Sequence, residues 1–156
     1  MSVNLIFLVH FSATLFLVGL IWTIQWVHYP LFDHVGPDGF VAFEAEHSRR
    51  ITPLVGPVML IELATAVMLA FGHAPPWFSR EIAISGLLAV VAIWLSTAFL
   101  QVPCHNRLML AFDRDAIRLL VLTNWIRTLL WTARGVLLAG TLWRALQTLS
   151  AGSLES

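Results

Sequence analysis

Four long stretches of this chain contain almost no charged side chain, and this feature constrains its fold more than any other. Asp, Glu, Lys and Arg are absent from residues 1–32 and from residues 82–106. Residues 51–79 hold one of them, and residues 119–143 hold two. A helix that crosses a bilayer needs about 20 mostly apolar residues, so each stretch predicts one such helix. The predicted helices cover residues 4–28, 53–72, 82–102 and 119–146.

The composition agrees with this pattern and excludes several functional classes. Charged residues make up 12% of the 156 residues and hydrophobic ones 58%, whereas about 25% of a typical soluble domain is charged. The formal net charge is zero, and a nucleic-acid binder would need a basic face. Cys104 is the one cysteine, so an internal disulfide is excluded. The predicted partner is the lipid bilayer, and no nucleic acid is expected.

The arginines predict how the chain lies in the membrane. Four spans put both termini on one side and the two long connections, residues 29–52 and 103–118, on the other. The connections carry five of the nine arginines, and the termini and short middle loop carry Arg80 and Arg144. By the positive-inside rule, the connections are predicted to be cytoplasmic and the termini periplasmic, in a bacterial inner membrane. The first span is expected to be retained, because its apolar run is too long for a secretion signal.

The two halves of the chain resemble each other. A shift of 77 residues aligns His28 with His105, Asp38 with Asp115, His47 with Asn124 and Arg50 with Arg127. We therefore predict an all-α, four-helix transmembrane bundle made of two repeated helical hairpins, at about residues 1–76 and 78–150, within a single membrane domain of residues 1–156. A two-span repeat preserves orientation, so the hairpins would be related by a parallel pseudo-twofold axis. The alternative is a coincidence between two similar hairpins.

Polar side chains gather at one predicted depth, on the side of the long connections. Each helix contributes two of them there: Gln25 and His28, His47 and Arg50, Gln101 and His105, and Asn124 and Arg127. Helical spacing puts His47 and Asn124 on inward-facing stripes. Asp38 is predicted to cap the helix of His47, and Asp113 or Asp115 that of Asn124. Because polar groups within a bilayer are costly and tend to be functional, the pattern predicts a polar pocket at the cytoplasmic interface.

The residue types indicate roles within that pocket. Arg50 and Arg127 are predicted to hold an anionic or carbonyl group, and His47 and Asn124 to orient it. His28, His47 and His105 are predicted catalytic acid–base groups, with three alternatives: helix capping, a haem held by His28 and His105, or a divalent-metal site formed by all three. Gln25 and Gln101 are predicted to bind the ligand, the alternative being that they join helices by hydrogen bonds.

Two charged residues are predicted to lie deeper in the membrane. At about 1.5 Å per residue, Glu62 lies roughly 16 Å and Arg134 roughly 9 Å from the start of its helix, a gap that a long arginine can cover. An unpaired charge there costs several kcal/mol, so the two are predicted to form an intramembrane ion pair. That pair is either structural or part of a proton or substrate path.

Four segments resemble small bacterial four-span membrane proteins of unknown function, over nearly the whole chain. They are QWVHYPLF at residues 25–32, EHSRRI at 46–51, QVPCHNRL at 101–108 and TNWIRT at 123–128. More distantly, Val102-Pro103 and Asn106-Arg107-Leu108 are similar to the membrane family that includes anthrone oxygenases. The resemblance implies the four-span fold, and the distant one implies oxidation of polycyclic phenols. Neither implies a catalytic residue that transfers to this chain.

Three functions follow as hypotheses. The first is a membrane protein whose pocket binds a lipophilic small molecule, as an oxidoreductase for a quinone-like or polyketide-like substrate or as a binding protein. The second is electron transfer through a haem or a metal held by His28 and His105. The third is a structural or assembly subunit with no ligand. The sequence leaves open whether the chain forms a homodimer.

Overall fold

The computed structural model describes residues 2–152, and it is helical throughout, with no strand among these residues. The predicted all-α fold is therefore confirmed. Residue 1 and residues 153–156 of the predicted domain lie outside the described residues. The helices are α1 (Val3–Thr23), followed by a π-helical turn (Ile24–His28) and a 3-10 turn (Pro30–His34); α2 (Pro37–Ala70); α3 (Arg80–Ser96), followed by a second π-helical turn (Thr97–Gln101) and a short α4 (Val102–Leu108); and α5 (Arg114–Gly152).

The caps of the two longest helices differ from each other. Asp113 Oδ1 accepts the backbone N–H groups of Asp115 and Ala116, each at 3.0 Å, and so caps α5 as predicted. The prediction for Asp38 is wrong. Gly36, with φ of 78°, precedes α2, and Pro37 takes the first helical position, where its missing N–H and fixed φ cost nothing. Asp38 lies inside the first turn of α2 instead.

α2 is one helix of 34 residues rather than a short helix followed by a separate span. Pro53 and Pro57 lie inside it. A proline removes one helical hydrogen bond and tends to bend a helix, but apolar residues before and after the prolines, Ile51 and Val58, pack against the same core cluster. α2 therefore carries both His47 and Glu62 on a single element.

Each long helix packs against two others: α1 and α3 both lie between α2 and α5. The larger core cluster includes Leu17, Phe32, Ile93 and Trp131, and a second cluster at the other end of the helices includes Ile6 and Leu138. Residues from all four long helices therefore meet in one interior, where the polar side chains are brought together.

The distribution of polar and apolar groups is the reverse of that in a water-soluble protein. Leu88, Phe99, Leu122 and Val136 are 65–72% exposed, while many polar side chains are buried. Three helical segments are long and apolar enough to cross a membrane: Val3–His34, Pro37–Ala70 and Arg80–Leu108. α5 is less apolar on average because it contains several polar residues, but those at 124, 127, 128 and 134 are all buried.

Candidate ligand site

The two π-helical turns direct polar side chains into the interior. A π turn adds one residue to a helical turn and is frequent at functional sites. In the first, the N–H of Tyr29 donates to the carbonyl of Ile24, and Gln25 and Tyr29 are each 3% exposed. The second contains Gln101, which is 1% exposed. Each turn is followed closely by a proline, Pro30 or Pro103.

A chain of hydrogen bonds joins four side chains, from the turn after α1 and from α2, α4 and α5. Arg127 Nη2 lies 3.4 Å from the Tyr29 hydroxyl, and that hydroxyl lies 3.1 Å from His105 Nε2. His105 Nδ1 lies 2.6 Å from Glu44 Oε1. Glu44, Tyr29 and Arg127 are buried and His105 is half-buried. The chain thus links a buried cation to a buried carboxyl group through two groups that can carry a proton.

His47 lies beside this chain. Its Nδ1 is 2.8 Å from His28 Nε2, and its ring stacks on that of His105 with centroids 5.4 Å apart. Among the described residues, His47 Nε2 and Glu44 Oε2 are buried without a hydrogen-bond partner. The three histidines predicted to meet therefore do so, around a carboxyl group.

Side-chain amides hold Arg127 in place. Its Nε donates to Asn124 Oδ1 at 3.0 Å, and Asn124 Nδ2 donates to Gln25 Oε1 at 2.8 Å. Gln25 Nε2 donates in turn to the carbonyl of Val121. On the other side, Gln101 Nε2 donates to Thr123 at 3.1 Å. Both glutamines thus join helices by hydrogen bonds, which is the alternative to the predicted ligand-binding role. Gln101 also lines the cavity described next.

A cavity of about 250 Å³ lies among α1, α2, α3 and α5. Its walls are mostly apolar, and Tyr29, His105 and Arg127 line it at one end. The Nε1 of Trp94, another lining residue, is buried without a hydrogen-bond partner among the described residues. Ligand sites combine apolar walls with a few placed polar groups in this way. The remaining wall is formed by residues such as Leu17, Ile21, Val55, Met59 and Trp131.

A second buried polar cluster surrounds Glu62. Arg134 Nη2 lies 3.2 Å from Glu62 Oε1, which also accepts the Thr14 hydroxyl at 2.8 Å, and Glu62 Oε2 accepts Trp131 Nε1 at 3.0 Å. Arg134 Nη2 is also 3.0 Å from His10 Nε2, and its Nη1 donates to the carbonyl of Gly86. The two residues predicted to pair are thus in contact. Because Trp131 also lines the cavity, this cluster adjoins the cavity end away from His105.

The structure brings together seven of the eight residues predicted for the pocket, either in the cluster around His105 and Arg127 or in hydrogen bonds that hold this cluster in place. Arg50 is the exception: its side chain is 74% exposed and donates to Glu46. Its position on α2 faces outward, so it cannot hold a ligand in this cavity. Sequence reasoning missed Tyr29, which follows His28 directly, and Glu44, which lies one turn before His47 on α2. Helical spacing from His47 would have indicated Glu44.

The arrangement of the histidines bears on the metal and haem hypotheses. No group of three or more His, Cys, Asp or Glu side chains within residues 2–152 is arranged to hold a metal ion. The ring of His47 contacts both His28, at a centroid distance of 4.7 Å, and His105. Imidazoles that bind a haem from opposite faces need the porphyrin between them. His28 and His105 are joined through His47 instead.

Comparisons with protein-family models, curated proteins and solved structures find no match to this chain.

Proposed function

We propose that this chain is an integral membrane protein that binds a lipophilic small molecule in the cavity beside Tyr29, His105 and Arg127. The observation that carries the proposal is a mostly apolar cavity with a guanidinium group, 6% exposed, at one end. A buried cation is costly unless it is compensated, and the nearest partners of Arg127 are neutral hydroxyl and amide groups. An oxyanion or carbonyl oxygen of a ligand would complete its hydrogen bonding.

The membrane location is supported by the surface of the helices. The outer face of α5 carries Leu122, Leu129 and Val136, each 58–69% exposed, so we infer that α5 crosses the bilayer with the other three. In a bilayer, helices associate through packing and interhelical hydrogen bonds rather than the hydrophobic effect. The buried amide and hydroxyl contacts of this bundle suit that environment. The arginine distribution still favours a cytoplasmic location for the end that carries the site.

The turns that follow α1 and α3, at the end of the bundle that carries the site, support the proposed duplication. α1 and α3 each run into a π turn that contains a buried glutamine and is followed by a proline. The two halves then diverge, because Arg50 is exposed whereas Arg127 is buried. In this account only the second repeat keeps its arginine facing the cavity, which gives one site rather than two.

The cavity favours a particular class of ligand. Indole rings of Trp94 and Trp131 and aliphatic side chains suit a flat or aliphatic body, and the arginine end suits a carbonyl or hydroxyl oxygen. A quinone-like or polyketide-like molecule has both parts, and an oxidoreductase is the enzymatic form of the proposal. A purely structural subunit would have no need of such a cavity, since protein interiors are otherwise close-packed.

Two neighbouring positions on α2 allow a matched test. Val55 lines the cavity, whereas Leu54 is 47% exposed and does not. Val55→Phe would fill part of the cavity, and Leu54→Phe would place the same ring on the outside. The ligand is decylubiquinone, and its binding to purified protein in detergent is followed by quenching of tryptophan fluorescence.

We expect the Val55→Phe variant to bind decylubiquinone at least about tenfold more weakly, a loss of about 1.4 kcal/mol. The Leu54→Phe variant should bind like the unchanged protein. Equal affinity of both folded variants, or no binding to the unchanged protein, would overturn the proposal for quinone-like ligands.

A further inference from the structure

The hydrogen bonds at the cavity have one consistent direction. A guanidinium group only donates, so the Tyr29 oxygen accepts from Arg127. At the other end a carboxylate only accepts, so the His105 proton is on Nδ1 and is donated to Glu44 Oε1. Nε2 of the neutral ring is then an acceptor, and the Tyr29 hydroxyl donates to it. The Ser48 hydroxyl also donates to Glu44 Oε1, at 3.1 Å. Every bond therefore runs from Arg127 toward Glu44.

This direction makes the Tyr29–His105 pair a proton acceptor for anything bound in the cavity. A carboxyl group that accepts from Nδ1 fixes the histidine tautomer and stabilises the imidazolium that forms when Nε2 is protonated. Tyr29 and His105 both line the cavity, and Glu44, behind His105, does not. Tyr29 would exchange the proton, His105 would hold it, and Glu44 would position His105.

We propose that Tyr29, His105 and Glu44 form a relay that removes the proton from an acidic hydroxyl group, a phenol or an enol, of the bound molecule. The proposal rests on the proposed ligand function and names its substrate class. The ligand O–H bond breaks and its proton goes to the Tyr29 oxygen, while the Tyr29 proton goes to His105 Nε2. The electron pair stays on the ligand oxygen, so the products are an oxyanion beside Arg127 and an imidazolium beside Glu44.

The titratable and charged groups that face His105 come from α2, from the turn after α1 and from α5. His105 faces Glu44 and His47 of α2, Tyr29 after α1 and, through Tyr29, Arg127 of α5. The buried atoms Glu44 Oε2 and His47 Nε2 belong to residues one turn apart on α2. His47 is bonded in turn to the half-buried His28.

The experiment uses a lipophilic phenol whose ionisation is visible, 2-octyl-4-nitrophenol, and its methyl ether, which has no proton to lose. The visible absorption of the nitrophenolate is titrated against pH for the probe bound to the purified protein and for the probe in empty detergent micelles. Because an opposite charge nearby lowers an acid's pKa by about 1–3 units, the bound phenol should ionise at a pH lower by at least about one unit, a tenfold shift.

Two variants identify the relay. Arg127 remains in both variants and keeps its own effect on the phenol, so Tyr29→Phe and Glu44→Gln should each reverse the part of the shift that the relay adds. The bound phenol should then ionise at a measurably higher pH than in the unchanged protein. Circular dichroism and size-exclusion chromatography check that both variants fold, and Glu44, which does not line the cavity, can be replaced without changing the binding of the methyl ether. His105→Gln provides a second test if one of them is unstable. Unchanged ionisation of the bound phenol in both folded variants would overturn the relay.

The two probes separate failure of the relay from failure of the ligand function. If both probes bind and the phenol ionises as it does in micelles, the relay is wrong and the ligand function stands. If the protein binds neither probe, both the proposed ligand class and the relay are wrong.

Discussion

The ion pair between Glu62 and Arg134 makes a quantitative prediction about stability. Both side chains are nearly inaccessible, at 1% and 3% of residue exposure. Replacing Glu62 by Met would leave Arg134 without its counterion and remove the acceptor of Thr14 and Trp131. Removing one partner of a buried pair costs about 3–5 kcal/mol, so we expect a loss in this range. Arg134→Met leaves Glu62 with its two neutral donors and should cost somewhat less.

The double variant isolates the interaction itself. With both charges replaced, no unpaired ion is left, and the remaining cost is that of the unpaired donors, about 1–3 kcal/mol each. The double variant should therefore be more stable than the sum of the single losses predicts, by about 2–4 kcal/mol. Neutral interhelical hydrogen bonds in a membrane contribute about 0.6 kcal/mol on average and reach about 1.7. The expected coupling exceeds that range because this pair is charged.

The assay is reversible unfolding of the purified protein in mixed micelles with increasing dodecyl sulfate, applied to the unchanged protein, both single variants and the double variant. The four free energies of unfolding give the coupling. A coupling below about 0.5 kcal/mol, the level at which independent sites are additive, would refute the view that the two charges stabilise each other across the helices.

Two further predictions concern helix contacts away from the cavity. A Cβ atom at Gly86 would lie 3.3 Å from Arg134 Nη1, whereas one at Gly140 would have nothing within 4 Å. Gly86→Leu should therefore lower the free energy of unfolding by about 1–3 kcal/mol, and Gly140→Leu should raise it by up to about 1 kcal/mol. Equal free energies of unfolding for the two variants would contradict this. The hydrogen bond from the Ala116 N–H, and to a smaller extent the Arg107 guanidinium, hold the pKa of Asp113 below its usual value. The contribution of Asp113 to stability is therefore fully present above the usual pKa of about 3.9. It should be lost as the pH falls through the lower folded value. Asp113→Asn keeps the cap and should remove this part of the acid dependence, which unfolding at a series of pH values will measure; an unchanged acid profile would count against it.

Much of the fold follows from the sequence because the apolar stretches are long. The helical class and three helices of membrane-spanning length were predictable from charge-free runs alone. The ends of the helices were not predictable, because α2 and α5 continue past the apolar runs into polar segments that side-chain contacts hold. At α2, the prediction for Asp38 failed since Gly36 can adopt a positive φ before Pro37, a conformation that is strained for a residue with a side chain.

The candidate site was only partly predictable. Helical periodicity placed His47 and Asn124 inward, and the other polar residues predicted at the same depth, apart from Arg50, lie near them. It could not anticipate the π turns, which change the register at the ends of α1 and α3, so Tyr29 was missed although it lies next to His28. Arg50 was included because it aligns with Arg127, yet alignment between halves does not fix which side of a helix faces the interior. The cavity itself depends on how four helices pack, which no local pattern contains.

The most direct test of the central claim is a crystal structure of the protein with a brominated 2-alkylphenol, located by its anomalous scattering. We expect a bromine peak between α2 and α3 near Trp94, with the phenol oxygen within hydrogen-bonding distance of Tyr29 and Arg127. Bromine peaks found only on the outer apolar surface of the helices, with the cavity closed by side chains, would contradict it.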